Sequence, residues 1–176
     1  MGRHAAWDGA DASRAPRPWR RAVRWQRAAA KHLAGIKIYA CWQELLQRFV
    51  ATASAAIAAH RGRLVDTAGD GVFATFDGPA RAVQCALALA REAGTLGFAI
   101  RAGLHTGEIE SSGDKVAGIA VHIGARVMSL AGAGEVLVSG TVKDLSAGAG
   151  FDFEPRGAQV LKGVPGEWVL HRVIGS

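Results

Sequence analysis

The chain has 176 residues, 49% apolar and 20% charged, enough for one domain with its own core and an ordinary balance for a globular protein. Its two cysteines, Cys41 and Cys85, lack CxxC spacing, which gives no zinc or disulfide signature and suggests reduced thiols in the cytoplasm; no apolar run approaches the length of a membrane span. The formal net charge of +6 is uneven: residues 1–40 hold nine Lys or Arg against Asp8 and Asp11, a net +7, while residues 41–176 hold 12 basic and 13 acidic groups, a net −1.

Residues 1–41 read as a basic, poorly patterned N-terminal tail. Pro16 and Pro18 interrupt any early helix, after which Arg20, Arg21, Arg24, Arg27 and Lys31 would line one side of a short basic helix beside Trp19 and Trp25. Clustered arginines with aromatics can neutralise phosphates and stack on bases. A solvated tail needs no more than this composition, however. The near-neutral remainder adds no positive field, so nucleic acid is not the expected partner. Lys31, His32 and Lys37 interrupt any apolar segment that a secretory signal would need.

Residues 42–176 read as the domain. Trp42, Leu45, Leu46, Phe49, Val50 and Ile57 recur at helical spacing, with Gly62 as the stop. Leu64 and Val65 open a strand, and Val72, Phe73 and Phe76 fill a second. Between them Gly69 and Gly71 bracket Asp70, which suits a tight turn that aims one carboxylate outward. Pro79 starts a helix carrying Ala80, Val83, Leu87 and Leu89 as far as Ala93, with Gly94 and Gly97 ending it. Phe98, Ile100, Ala102 and Leu104 alternate as a strand, and a polar loop follows from Glu110 to Lys115. Ile119, Ile123, Val127 and Leu130 mark a third helix, Glu135–Ser139 a short strand and Thr141–Leu145 a helical turn. Residues 151–174 read as two or three antiparallel strands around a turn at Gly163-Val-Pro-Gly166. The order α-β-β-α-β-α-β-β-β suggests an α+β domain, helices against a mostly antiparallel sheet.

Thr67-Ala-Gly-Asp-Gly71, Arg101-Ala-Gly-Leu-His-Thr-Gly-Glu108, Gly118-Ile-Ala-Val-His-Ile-Gly-Ala-Arg126 and Leu161-Lys-Gly-Val164 follow one another in order over residues 42–174. Together they resemble the class III nucleotide cyclases, the adenylate/guanylate cyclase catalytic domain, in its bacterial branch. The resemblance implies a ferredoxin-like-derived α+β fold. It also implies conversion of ATP or another nucleoside triphosphate to a 3′,5′-cyclic monophosphate and pyrophosphate, by in-line attack of the ribose 3′-hydroxyl on the α-phosphorus. Two Mg²⁺ or Mn²⁺ ions would assist, in a site between two subunits of a homodimer, or of a heterodimer with a cyclase homologue. Asp70 matches one of two metal-binding aspartates, Arg126 the arginine that stabilises the transition state and Lys162 the lysine on the triphosphate. His122 stands where many members have a ribose-orienting Asn, and Asp66 and Lys115 occupy the base-selecting positions with their charges exchanged.

One departure bears on activity. The first metal aspartate of the family lies on an opening strand in a Phe-x-Asp-like pattern, and the spacing would place it near Gln26, within Val23-Arg-Trp-Gln-Arg27, where nothing is acidic. The expectation is therefore a cyclase fold with its first strand missing or altered, and with turnover weak or lost. The alternative is a non-catalytic module that binds nucleotide or dimerises with an intact cyclase. The unpatterned composition of residues 1–40 would also suit GC-rich DNA translated outside its frame; another frame upstream of the Trp42 codon would then encode the missing motif.

Overall fold

The computed structural model describes residues 21–27, 36–68, 71–112 and 115–175. Strand β1 (Arg21–Arg27) precedes helix α1 (Ile36–Ala59), whose buried stripe is Phe49, Ala53 and Ile57. Arg61 adopts φ 56° and turns the chain into β2 (Gly62–Ala68). Gly62 itself is demanded by packing, because a Cβ there would stand 2.5 Å from the Phe76 ring. Strand β3 (Gly71–Phe76) leads to α2 (Pro79–Thr95). Pro79 occupies its first turn, where a missing N–H costs nothing. Next come β4 (Ile100–Leu104), the short pair β5 (Glu110–Ser112) and β6 (Lys115–Ala117), α3 (Ile119–Leu130), β7 (Val136–Ser139) and α4 (Gly140–Leu145). Strands β8 (Asp152–Val160) and β9 (Glu167–Gly175) close the chain.

The large sheet runs β2-β3-β1-β4-β7-β9-β8, with β5 and β6 forming a separate hairpin. Only β4 and β7 pair in parallel; every other neighbouring pair is antiparallel. Residues alternate across a strand, and β7 shows what that does. Val136 and Val138 enter a core with α1 and α2 that includes Phe49, Ile57, Val83, Leu89, Ile100 and Leu104. Leu137 enters a second core with Ile123 and Val127 of α3 and with Leu161, Val164 and Leu170. Helices α1 and α2 therefore cover one face, and α3 lies on the other. No helix among the described residues is long and apolar enough to cross a membrane.

The α+β class and the mostly antiparallel sheet match the expectation from the sequence. The short basic helix expected between Arg20 and Lys31 does not match over its described residues. Residues 21–27 form no basic helix; they are β1, paired with β3 on one side and β4 on the other. A slot between two strands satisfies backbone groups on both edges, and that gain overrides the low strand propensity of three arginines. The first strand is thus present and altered in composition. The boundary expected between residues 41 and 42 falls inside α1. Gly94 lies inside α2, which ends at Thr95 with Leu96 as its cap and Gly97 (φ 82°) just beyond, and the expected 110–115 loop holds the β5–β6 hairpin. Residues 1–20, including Trp19 and Arg20, together with Lys31, lie outside the described residues.

Candidate functional site

Helix α3 is set on the sheet by glycines. A Cβ on Gly103 would stand 2.1 Å from the Met128 backbone nitrogen, so β4 and α3 meet backbone to backbone. Gly118, just before α3, holds φ 128°, and a Cβ there would crowd the Glu108 carbonyl at 3.2 Å; only glycine suits both demands. Seated this way, α3 buries Ile123 and Val127 and leaves His122 and Arg126 exposed one helical turn apart.

The turn after β8 meets this exposed face. Leu161 and Val164 are buried against α3, and the Val164 N–H donates to the Leu161 carbonyl at 3.0 Å. Gly163 (φ 78°) and Gly166 (φ 81°) supply left-handed backbone, while Trp168 Nε1 donates to the Pro165 carbonyl at 3.0 Å. Arg126 Nε then donates to the Lys162 carbonyl at 2.9 Å across 36 residues of sequence. Of the predicted site residues, Arg126 and Lys162 are therefore brought together, with His122 beside them. Neither Arg126 nor Lys162 has a carboxylate within 4.0 Å among the described residues. The Arg126 guanidinium is thus bonded to the backbone of an exposed lysine, with no carboxylate paired to either side chain among the described residues.

The other predicted residues stand apart from this pair. Asp66 is exposed in β2, opposite Phe73 and next to a bulge. Lys115 opens β6, in the small hairpin, paired with Ser112. Asp70 lies outside the described residues. Gln26, at the expected place of an acid, is in register with Gly71 of β3 and Arg101 of β4. The described residues contain no group of three His, Cys, Asp or Glu that could hold a metal ion. A neutral carboxamide position in β1, beside an arginine position in β4, is not the acidic donor set that a pair of hard divalent ions requires. These residues do not fit that pair of ions.

Several supporting groups had little signal in the sequence. His105, at the end of β4, is buried, shares a 2.9 Å hydrogen bond through Nδ1 with the Ser139 hydroxyl and meets the Trp168 ring edge-on at 5.3 Å. Burial pushes its pKa down to about 4, so the ring is neutral. Buried Glu135 accepts the Gly132 N–H at 2.6 Å and pairs with Arg156 at 3.2 Å, which pins the α3–β7 connection. A cleft of about 330 Å³ is lined by Leu130, Leu137, Pro155, Arg156, Gln159 and Leu170, and contains none of the predicted site residues.

This architecture is the adenylate/guanylate cyclase catalytic fold. The cyclase/hydrolase from Silicibacter pomeroyi superposes with a TM-score of 0.78 at 23% identity, covering 89% of this chain and 97% of that one. The guanylate cyclase domain of RhGC from Catenaria anguillulae, solved with GTP, gives 0.75 at 19%, covering 90% and 97%. Among curated proteins, an uncharacterized protein of Mycobacterium tuberculosis is 39% identical over 98 residues, 54% of this chain and 39% of that protein. A Rhizobium meliloti protein provisionally named adenylate cyclase 3 is 27% identical over 136 residues, 72% of this chain and 22% of that protein. The chain thus spans well under half the length of the curated relatives it matches. No protein-family model matches the chain.

Proposed function

We propose that this chain is a nucleotide cyclase-like protein that binds ATP or another nucleoside triphosphate at a dimer interface, with turnover to 3′,5′-cyclic AMP and pyrophosphate weak or lost. The observation that carries the reading is the Arg126–Lys162 contact, both residues exposed and neither paired with a carboxylate among the described residues. Its Nε spent on the Lys162 carbonyl, Arg126 still offers the N–H groups of both terminal nitrogens. A planar fork of that kind matches the oxygens of a phosphate, and Lys162 adds a point charge beside it. In an in-line attack of the ribose 3′-hydroxyl on the α-phosphorus, negative charge grows on the phosphate oxygens, and fixed cations favour that state. His122, one turn before Arg126, is placed to donate to the sugar. The resemblance implies Mg²⁺ or Mn²⁺ for catalysis, with Asp70 as one ligand, and the altered β1 is why turnover is expected to be weak. The cysteine usage suits the cytoplasm.

A cyclase assay with ATP and GTP, under Mg²⁺ and under Mn²⁺, tests the reading alongside an ATP-induced thermal shift. We expect a shift that Arg126→Ala and Lys162→Ala each reduce, and a rate far below the ~10 s⁻¹ typical of enzymes. Absence of any shift at millimolar ATP contradicts nucleotide binding; turnover at an ordinary enzymatic rate contradicts the weakened site.

The non-acidic β1 also favours a second reading, a non-catalytic module that pairs with an intact cyclase and lends it Arg126 and Lys162. Failure to co-purify with any cyclase removes this one.

A further inference from the structure

We infer that His105 is a positioning residue for the triphosphate: through the Trp168 indole it sets the 161–166 turn that carries Lys162. The inference rests on the reading that Arg126 and Lys162 meet a nucleoside triphosphate. The turn has little stiffness of its own. Gly163 and Gly166 hold left-handed backbone at φ 78° and 81°, and glycine visits many other conformations at little cost. Contacts from outside fix its shape. Leu161 and Val164 are buried against α3, Arg126 Nε donates to the Lys162 carbonyl at 2.9 Å, and Trp168 Nε1 donates to the Pro165 carbonyl at 3.0 Å.

The last of these contacts depends on how the indole is held. One N–H at the edge of a flat ring reaches the carbonyl over a narrow range of ring orientations. Trp168 packs against the α3-side core, but apolar burial is non-directional. His105 supplies the direction. Its ring meets the indole edge-on, with centroids 5.3 Å apart and planes at 87°, an arrangement that the charge distribution of aromatic rings favours.

His105 is itself clamped, with 5% of its surface exposed. Its Nδ1 shares a 2.9 Å hydrogen bond with the Ser139 hydroxyl at the end of β7. Ser139 stands just before α4, where a serine ordinarily turns its hydroxyl onto the first N–H groups of the helix. It makes no such cap; the hydroxyl is committed to the imidazole. On the other side, a Cβ on Gly107 would stand 3.3 Å from His105 Nε2 and 3.0 Å from the Ala120 Cβ. The chain leaving β4 thus passes close over the ring. Held between β7 and the start of α3, the imidazole is a fixed stop for the indole, and direct contacts lead from Ser139 to the Lys162 turn.

Calorimetric titration of ATP into the full chain tests this, with wild type, His105→Leu, Trp168→Phe and the double variant compared and the folding of each checked by circular dichroism. Each single variant should bind about fivefold more weakly. The double variant should bind no more weakly than the weaker single, because both changes remove the same support. His105→Phe keeps a ring against the indole and should recover part of the loss. Val83→Ala, a truncation in the core on the other face of the sheet, should lower the urea midpoint and leave ATP affinity unchanged, which separates positioning from general destabilisation. Should His105→Leu not fold, His105→Phe carries the test, with an affinity expected between those of wild type and Trp168→Phe. Wild-type affinity in the folded His105 variants overturns the inference and leaves the proposed function standing. Losses that multiply in the double variant mark two independent supports and overturn it as well. No ATP binding by the wild type overturns both readings.

Discussion

Arg126 performs two tasks that a lysine cannot combine. Its Nε anchors the 161–164 turn through the Lys162 carbonyl, and its remaining fork faces outward. Arg126→Lys keeps the charge and loses that geometry. We expect ATP affinity to fall several-fold, with a larger fall for Arg126→Ala, and faster amide exchange at Val164 in both; the anchoring bond contributes about 1 kcal/mol. His105 makes a pH prediction. Its folded pKa of about 4 lies below the ordinary 6.5, so the unfolded chain binds the extra proton first. The stability that follows is complete above pH 6.5 and is lost as pH falls toward 4, on the order of 3 kcal/mol. Burial lowers the pKa of His171 in the same direction, with Lys143 adding to it and Asp144 opposing. Urea melts between pH 7 and pH 4 should show the decline, and His105→Gln should flatten it. A flat wild-type profile contradicts the buried neutral ring.

At the scale of elements, the contact between β4 and α3 is the tightest constraint. Gly103→Ala places a methyl against the Met128 backbone, an overpacking with no flexible side chain to yield. The expected loss is about 3 kcal/mol, read from urea unfolding. Strand β1 gives a second test. Hydrogen-bonded on both edges, it tolerates no proline, so Val23→Pro should cost about 3 kcal/mol or more. Wild-type stability in that variant would remove β1 from the sheet. Helices α2 and α3 and strands β2, β3, β4, β7, β8 and β9 were legible in the sequence, because each carries its own apolar period or turn chemistry. Strand β1 was hidden because three arginines dominate its composition, although Val23 and Trp25 alternate with Arg24 and Gln26. Its stability comes from neighbours distant in sequence, which no local pattern reports. Of the proposed site, Arg126, His122 and Lys162 were singled out through motifs. The Glu135–Arg156 pair was not, since it depends on which elements lie side by side.

The molecule as a whole combines a cyclase fold with an uneven inventory of site groups. One part, on α3 and the 161–166 turn, is assembled and cationic; the other, along β1, lacks the acid that a pair of cations needs. On the proposed reading, such a chain would bind a triphosphate better than it would transform one. The most direct measurement is a titration of ATP into the full chain and into the Arg126→Ala/Lys162→Ala double variant, both checked for folding. Saturable binding by the wild type, weakened at least about tenfold in the double variant, is the predicted result. Equal affinity in the two proteins, or no binding by either, would contradict the account.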